Sequence, residues 1–136
     1  MSGKETASEN NYTLKTFPLK TQQSAKPLDV AYEYCKQATM RTNDAPVVLA
    51  LHGLGSDMLG GKIETTKTWA LENGYGFARF DYPGHGQSGG KMVDFTMTQA
   101  LQVALHLLDT IIQKPVVLTG SSTGGWLALL LAKARP

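Results

Sequence analysis

The spacing of apolar and polar positions divides this 136-residue chain into stretches with different periods. Tyr12 to Leu19 and Leu28 to Tyr34 partly alternate and flank the polar run Lys20 to Pro27, which predicts an antiparallel pair of half-exposed strands. Val47-Val48-Leu49-Ala50-Leu51 is apolar throughout and follows Pro46, as expected of a central parallel strand covered on both faces. Ile63, Lys67, Ala70 and Leu71 then recur at helical spacing, and Asn73-Gly74 supplies a residue tolerant of positive φ to end that helix. Gly76 to Phe80 predicts another strand.

Ala100, Leu101, Ala104, Leu105, Leu108, Ile111 and Ile112 mark an amphipathic helix that opens at a Thr96/Gln99 capping box and is stopped by Pro115. Val116 to Thr119 is the next apolar strand. Trp126 to Ala134 is dense in Leu and Ala, a nearly all-round apolar pattern that predicts a buried helix. Strands alternating with helices imply right-handed crossovers and a mainly parallel sheet with an antiparallel N-terminal pair, an α/β fold. No repeat, low-complexity linker or domain boundary interrupts the order, so residues 12–136 are one unit, and residues 1–11, which lack an apolar run, are expected to be disordered.

Composition narrows the function classes. Hydrophobic residues make up 42% and charged residues 18%, which fits a globular chain. The formal net charge of +2 offers no basic stripe for nucleic acid. The single cysteine, Cys35, excludes an internal disulfide and a cysteine-based zinc site, and is read as a small buried hydrophobe in preference to a reactive thiol. His52, His85 and His106 show no close ligand spacing, so neither a metal nor a cofactor is expected. The longest apolar run, Trp126 to Ala132, is far shorter than the roughly 20 residues that span a bilayer. With no signal-peptide or transit-peptide pattern at the start, a cytoplasmic protein is expected.

The chemistry concentrates at turns. Gly120-Ser121-Ser122-Thr123-Gly124 matches G-x-S-x-G directly after an apolar strand and directly before a helix, the context that motif requires. A serine forced into so tight a turn projects its hydroxyl above the sheet, and glycines two positions either side allow close backbone approach. Ser122 is the candidate nucleophile. The Thr123 N–H would open the following helix, where unpaired donors and the helix dipole favour a developing oxyanion. The alternative is an ordinary Gly-Ser turn whose serine caps the helix.

His52-Gly53-Leu54-Gly55 follows the central strand and would lie beside that turn, with Gly53 letting the loop bend so that the Leu54 N–H supplies a second oxyanion donor. His52 is assigned to fixing this loop; a general-base role would require hydrogen-bond reach of Ser122. Gly84-His85-Gly86-Gln87-Ser88-Gly89 formally fits the dinucleotide-binding pattern G-x-G-x-x-G. Its glycines do not open a helix, and the residue about 20 positions on, Asp109, falls inside a helix, so a structural turn is preferred in which His85 and Ser88 bond the backbone after Asp81. His106 is read as a helix histidine with an ordinary partner, and Trp126 as core in preference to the wall of an acyl pocket.

Taken together, His52-Gly53-Leu54-Gly55, Asp81-Tyr82-Pro83-Gly84-His85-Gly86-Gln87-Ser88 and Gly120-Ser121-Ser122-Thr123-Gly124-Gly125-Trp126 resemble the α/β-hydrolase superfamily in order and separation. Arg79-Phe80-Asp81 and the Gly-Ser-Ser-x-Gly-Gly-Trp turn look most like the small-esterase branch that includes palmitoyl-protein thioesterase-type hydrolases. The resemblance implies a serine hydrolase of small acyl esters or thioesters working through an acyl-serine intermediate. Ser122 would be the nucleophile and the backbones of Leu54 and Thr123 the oxyanion hole, with His52, Gly53, Asp81, Gly84, His85, Gly86, Gly120 and Gly124 shaping the turns.

The resemblance covers nearly everything after residue 28 but only the first half of the family's fold, so residues 12–136 are expected to be the N-terminal part of a longer domain, incomplete at its C-terminal end. In this family an acid and then a histidine follow the serine, yet no Asp, Glu or His follows Ser122 here. Loss of the histidine costs on the order of 10⁶ in kcat in a serine protease, so these residues alone are expected to be nearly inactive. A non-catalytic binding or interaction protein is the rival expectation, together with an apolar sheet edge beside Val116 to Thr119.

Overall fold

The computed structural model describes residues 6–7, 13–21, 25–36 and 45–136. Strands β1 (Thr6–Ala7), β2 (Thr13–Leu19), β3 (Leu28–Cys35), β4 (Val47–Leu51), β5 (Gly76–Phe80) and β6 (Val116–Gly120) form one sheet in the order β1-β2-β3-β5-β4-β6. The chain enters it antiparallel, with β2 against β3 and β3 against β5, and continues parallel from β5 through β4 to β6. Residues 1–11 lie outside the described part except for Thr6–Ala7. These two are not frayed: they pair with Thr13 and Leu14, using backbone groups that the outer side of β2 would otherwise leave open.

Strand β4 is buried at every position because its alternate side chains feed two cores. Val47, Leu49 and Leu51 join Ala100, Val103 and Ala104 of α2 (Met97–His106) and Leu127 and Leu131 of α3 (Thr123–Ala134) on one face. Val48 and Ala50 meet Phe77 and Ala70 of α1 (Gly61–Glu72) on the other. This sandwich of helix, sheet and helix brings the loops after β4, β5 and β6 to the same end of the sheet, as expected where parallel strands share a register.

The helix ends follow local chemistry. The Thr96 side chain accepts the Gln99 N–H at 3.1 Å to start α2. Gly74 at φ +80 closes α1. Beyond His106 the α2 segment widens into a π-helix, Leu107–Ile112, which the apolar spacing alone did not distinguish from α-helix. It ends at Ile112, three residues before Pro115, with Gln113 in the left-handed conformation and its N–H on the Leu108 carbonyl at 2.9 Å.

The expectation of a buried last helix fails. Gly124, Leu127 and Leu131 of α3 pack inward, but Trp126 is 57% and Leu129 74% exposed. Sheet and α2 cover one stripe of that helix, and its nearly all-round apolar pattern exceeds what a single stripe buries. Trp126 therefore does not belong to the core. Among the described residues β6 is an edge strand, and Val117 on it is 51% exposed. An apolar five-residue edge without charge or proline invites self-association. Val117→Lys is expected to lower the concentration-dependent self-association of this 136-residue chain in light scattering while changing its stability by less than about 0.5 kcal/mol; unchanged association would show that the edge is not the adhesive element.

Candidate active site

The turn between β6 and α3 is held by backbone contact. Leaving Gly120, the chain passes Ser121 and places Ser122 at φ 56 and ψ −125, a region that L side chains rarely occupy and that costs of order 1–3 kcal/mol. A side chain on Gly124 would overlap the Leu51 carbonyl oxygen, and one on Gly120 would lie 2.5 Å from the Gly124 carbonyl carbon. The two glycines let α3 press against β4 and β6, and the compressed chain throws Ser122 outward, where it is exposed. Ser122 precedes the helix but makes no side-chain cap hydrogen bond, which removes the reading of an ordinary capping turn.

The loop after β4 runs alongside. Its bend is made at Gly55, at φ +76, with the Ser56 N–H on the Gly53 carbonyl at 3.0 Å; Gly53, expected to provide the bend, is not in that conformation. Gly53 instead faces the serine turn, where a Cβ would come 3.9 Å from the Ser121 carbonyl oxygen. Leu54, at the tip, is 58% exposed. Backbone hydrogen bonds in the two turns run from Ser56 to Gly53, from Gly124 to Ser121 and from Trp126 to Ser122, and engage neither the Leu54 nor the Thr123 N–H. A free N–H at the first position of a helix can stabilise a negative oxygen. Between this loop, α1 and the start of the serine turn lies a cavity of 410 Å³ lined in part by Gly53, Ile63, Thr119 and Ser121.

His52 is tied into the scaffold. It is 3% exposed and stacks on Tyr82 with ring centroids 3.8 Å apart. Its Nδ1 lies 2.7 Å from the Gly53 carbonyl oxygen, and its Nε2 accepts the Tyr82 N–H at 3.2 Å, so Nδ1 carries the proton. The Tyr82 hydroxyl returns a bond to the His52 carbonyl at 2.6 Å. With both ring nitrogens engaged, His52 has none to offer Ser122. Burial also pushes its pKa from 6.5 to about 4, so it stays neutral.

The loop after β5 is organised by Asp81. Its two carboxylate oxygens accept the Met58 N–H at 2.8 Å and the Gln87 N–H at 2.9 Å. Burial raises its pKa although both bonds favour the charged form. Gly86, at φ +49, lies so close that a side chain there would overlap this carboxylate, and Gly84, at φ +79, abuts Lys91. The Ser88 hydroxyl donates to the Asp81 carbonyl at 2.6 Å, and His85 Nδ1 sits 3.1 Å from the Pro83 carbonyl oxygen. The glycines of residues 84–89 thus shape a braced turn, and the next helical turn is Met92–Asp94, beyond Gly90 and Lys91. His106 packs tilted against Phe17, with ring centroids 4.4 Å apart and planes 31° from parallel. Cys35 is half-buried beside Phe77 and Ala70, with its thiol pKa raised by burial.

Sequence reasoning missed a charge cluster. Arg79, fully buried in β5, pairs through Nε with Glu33 at 3.0 Å and through a terminal nitrogen with Glu64 at 2.7 Å, while Lys67 reaches Glu33 at 3.0 Å. The available signal was an arginine inside a strand otherwise built for burial. Among the described residues no three His, Cys, Asp or Glu side chains gather as metal ligands, and no helix is long and apolar enough to cross a membrane.

Two outcomes follow from this geometry. Gly124→Ala is expected to destabilise the chain by about 3 kcal/mol or more, read from urea unfolding, because the added methyl meets rigid backbone. His52 has a folded pKa below its unfolded value, so its contribution is complete above about pH 6.5 and is lost as pH falls toward 4. That loss is about 3 kcal/mol and should be absent in His52→Asn, measured by the same unfolding at pH 7, 5.5 and 4.

Comparison with known proteins places the chain in a family. The family model described as serine aminopeptidase, S33, matches residues 42–136. The chain is 35% identical over 108 residues to mouse palmitoyl-protein thioesterase ABHD10, mitochondrial, covering 79% of this chain and 34% of that protein. It is 35% identical over 92 residues to the human protein of the same name, covering 68% and 30%. A solved structure from Agrobacterium vitis S4 superimposes with a TM-score of 0.77 and 36% identity, covering 90% of this chain and 47% of that one. Mouse alpha/beta hydrolase domain-containing protein 10 does so with a TM-score of 0.72 and 32% identity, covering 89% and 45%. The chain spans about a third of the length of the curated relatives it matches. It belongs to the family of α/β hydrolases described as serine aminopeptidase, S33.

Proposed function

We propose that these residues form the nucleophile half of a serine hydrolase that cleaves acyl esters or thioesters. The observation that carries this is Ser122, exposed at φ 56 between two glycines that tolerate no side chain. Ser122 Oγ attacks the acyl carbon, and the negative charge that develops on the carbonyl oxygen is met by the Leu54 and Thr123 N–H groups. Collapse of the tetrahedral intermediate expels the alcohol or thiol and leaves an acyl-serine, which water then hydrolyses. Thioesters are favoured within this class by the palmitoyl-protein thioesterases among the relatives.

Proton transfer needs a base that the described site does not hold. Both nitrogens of His52 are engaged, and no Asp, Glu or His follows Ser122. Because the chain spans only about a third of its curated relatives, the proposal assigns the acid and histidine to the part of the domain those relatives carry beyond the matched span, and these residues alone are expected to bind and orient an acyl group without turning it over.

In the gene product that carries this sequence, Ser122→Ala is expected to lower kcat toward a short-chain acyl thioester by about 10⁶, measured by release of the free thiol. A variant that keeps its rate overturns the assignment of Ser122. If wild type and variant are equally inert while the protein still binds the acyl compound, the chain belongs to a non-catalytic binding protein instead.

A further inference from the structure

A fully buried arginine needs an explanation, because an apolar side chain of similar size often serves stability as well as a buried ion pair does. Arg79 lies directly opposite Glu33 in the β3–β5 register and two residues before Asp81, so Arg79 and Asp81 point to the same face of the sheet. That face carries α1 and the loop leading into it. The two side chains converge on one residue there. Asp81 Oδ1 takes the Met58 N–H at 2.8 Å, and an Arg79 terminal nitrogen donates to the Met58 carbonyl at 3.0 Å. Met58 is itself fully buried. The same guanidinium holds Glu64, in the first turn of α1, so it ties the end of the loop to the helix that follows. At the other end, Tyr82 holds His52 by three contacts: its N–H, its hydroxyl and its ring.

The residues 53–57 between these two tethers carry the exposed Leu54. We propose that Arg79, oriented by Glu33 and Glu64, is a positioning residue that fixes the β4–α1 loop through the Met58 carbonyl and so sets where the Leu54 N–H points. This rests on the assignment of that N–H to the oxyanion hole. An arginine suits the task because its planar fork addresses the two carboxylates and a carbonyl at once, whereas a lysine is a single point of charge.

The test is amide hydrogen exchange on the 136-residue chain, comparing wild type with Arg79→Lys and with the doubly substituted Arg79→Met/Glu33→Gln, which removes the charge without stranding Glu33. Exchange at Ser56, Met58 and Leu59 is expected to quicken about tenfold or more in both variants, with β4 and β5 amides unchanged. Wild-type protection in the loop, or an equal loss across the sheet, overturns the proposal. In the hydrolytic gene product Arg79→Lys is expected to lower kcat about 10- to 100-fold with KM within about twofold of wild type. Unchanged kcat despite a loosened loop overturns the positioning role. Should Ser122→Ala retain full activity, the active-site assignment fails, yet the exchange experiment still decides whether Arg79 holds the loop.

Discussion

The approach of Gly124 to the Leu51 carbonyl oxygen is the contact on which the rest of the candidate site depends. It lets α3 seat against the parallel strands with Leu127 and Leu131 in the core, and burial of those leucines holds it there. The compression this creates between Gly120 and Gly124 forces Ser122 to φ 56 and turns its hydroxyl away from capping. The parallel register pairs Leu51 with Gly120, so the loops that leave the two strands start at one level. Ser122, the Thr123 N–H and the Leu54 loop are neighbours for that reason. Close backbone packing thus determines both the strain on the serine and which backbone N–H groups lie beside it.

The loop side is built by a different device. Where the serine turn relies on shape, the β4–α1 loop relies on polar tethers from the end of β5, which Arg79, Asp81 and Tyr82 supply within four consecutive residues. Burial makes the bonds geometrically strict, since each removed partner would leave a desolvated group behind. It also keeps His52 neutral, so both ring nitrogens stay committed to the Gly53 carbonyl and the Tyr82 N–H that brace the loop.

Much of this was legible in the amino-acid order because local pattern and context agreed. The all-apolar Val47 to Leu51 identified a doubly covered strand, and G-x-S-x-G between a strand and a helix identified the turn. What was not legible depends on partners distant in sequence. Arg79 meets Glu33 only because β3 pairs with β5, across 46 positions, and no periodicity announces that neighbour. Gly53 and Gly55 are alike on paper, and only the closed turn shows that Gly55 takes the positive φ while Gly53 faces Ser121. The apolar pattern of Trp126 to Ala134 says how much surface is available to bury, not how much these residues cover, and Trp126 and Leu129 stand exposed as a result.

In the proposed function, a packed turn presents Ser122 as the nucleophile, and its acid and base come from outside these residues. Mass spectrometry of the gene product after treatment with a fluorophosphonate tests this most directly, because the reagent reports the activated serine itself rather than a rate. One adduct per chain, located on Ser122, is expected. An adduct on a different serine, with Ser122 unmodified in a protein that hydrolyses acyl substrates, would contradict it.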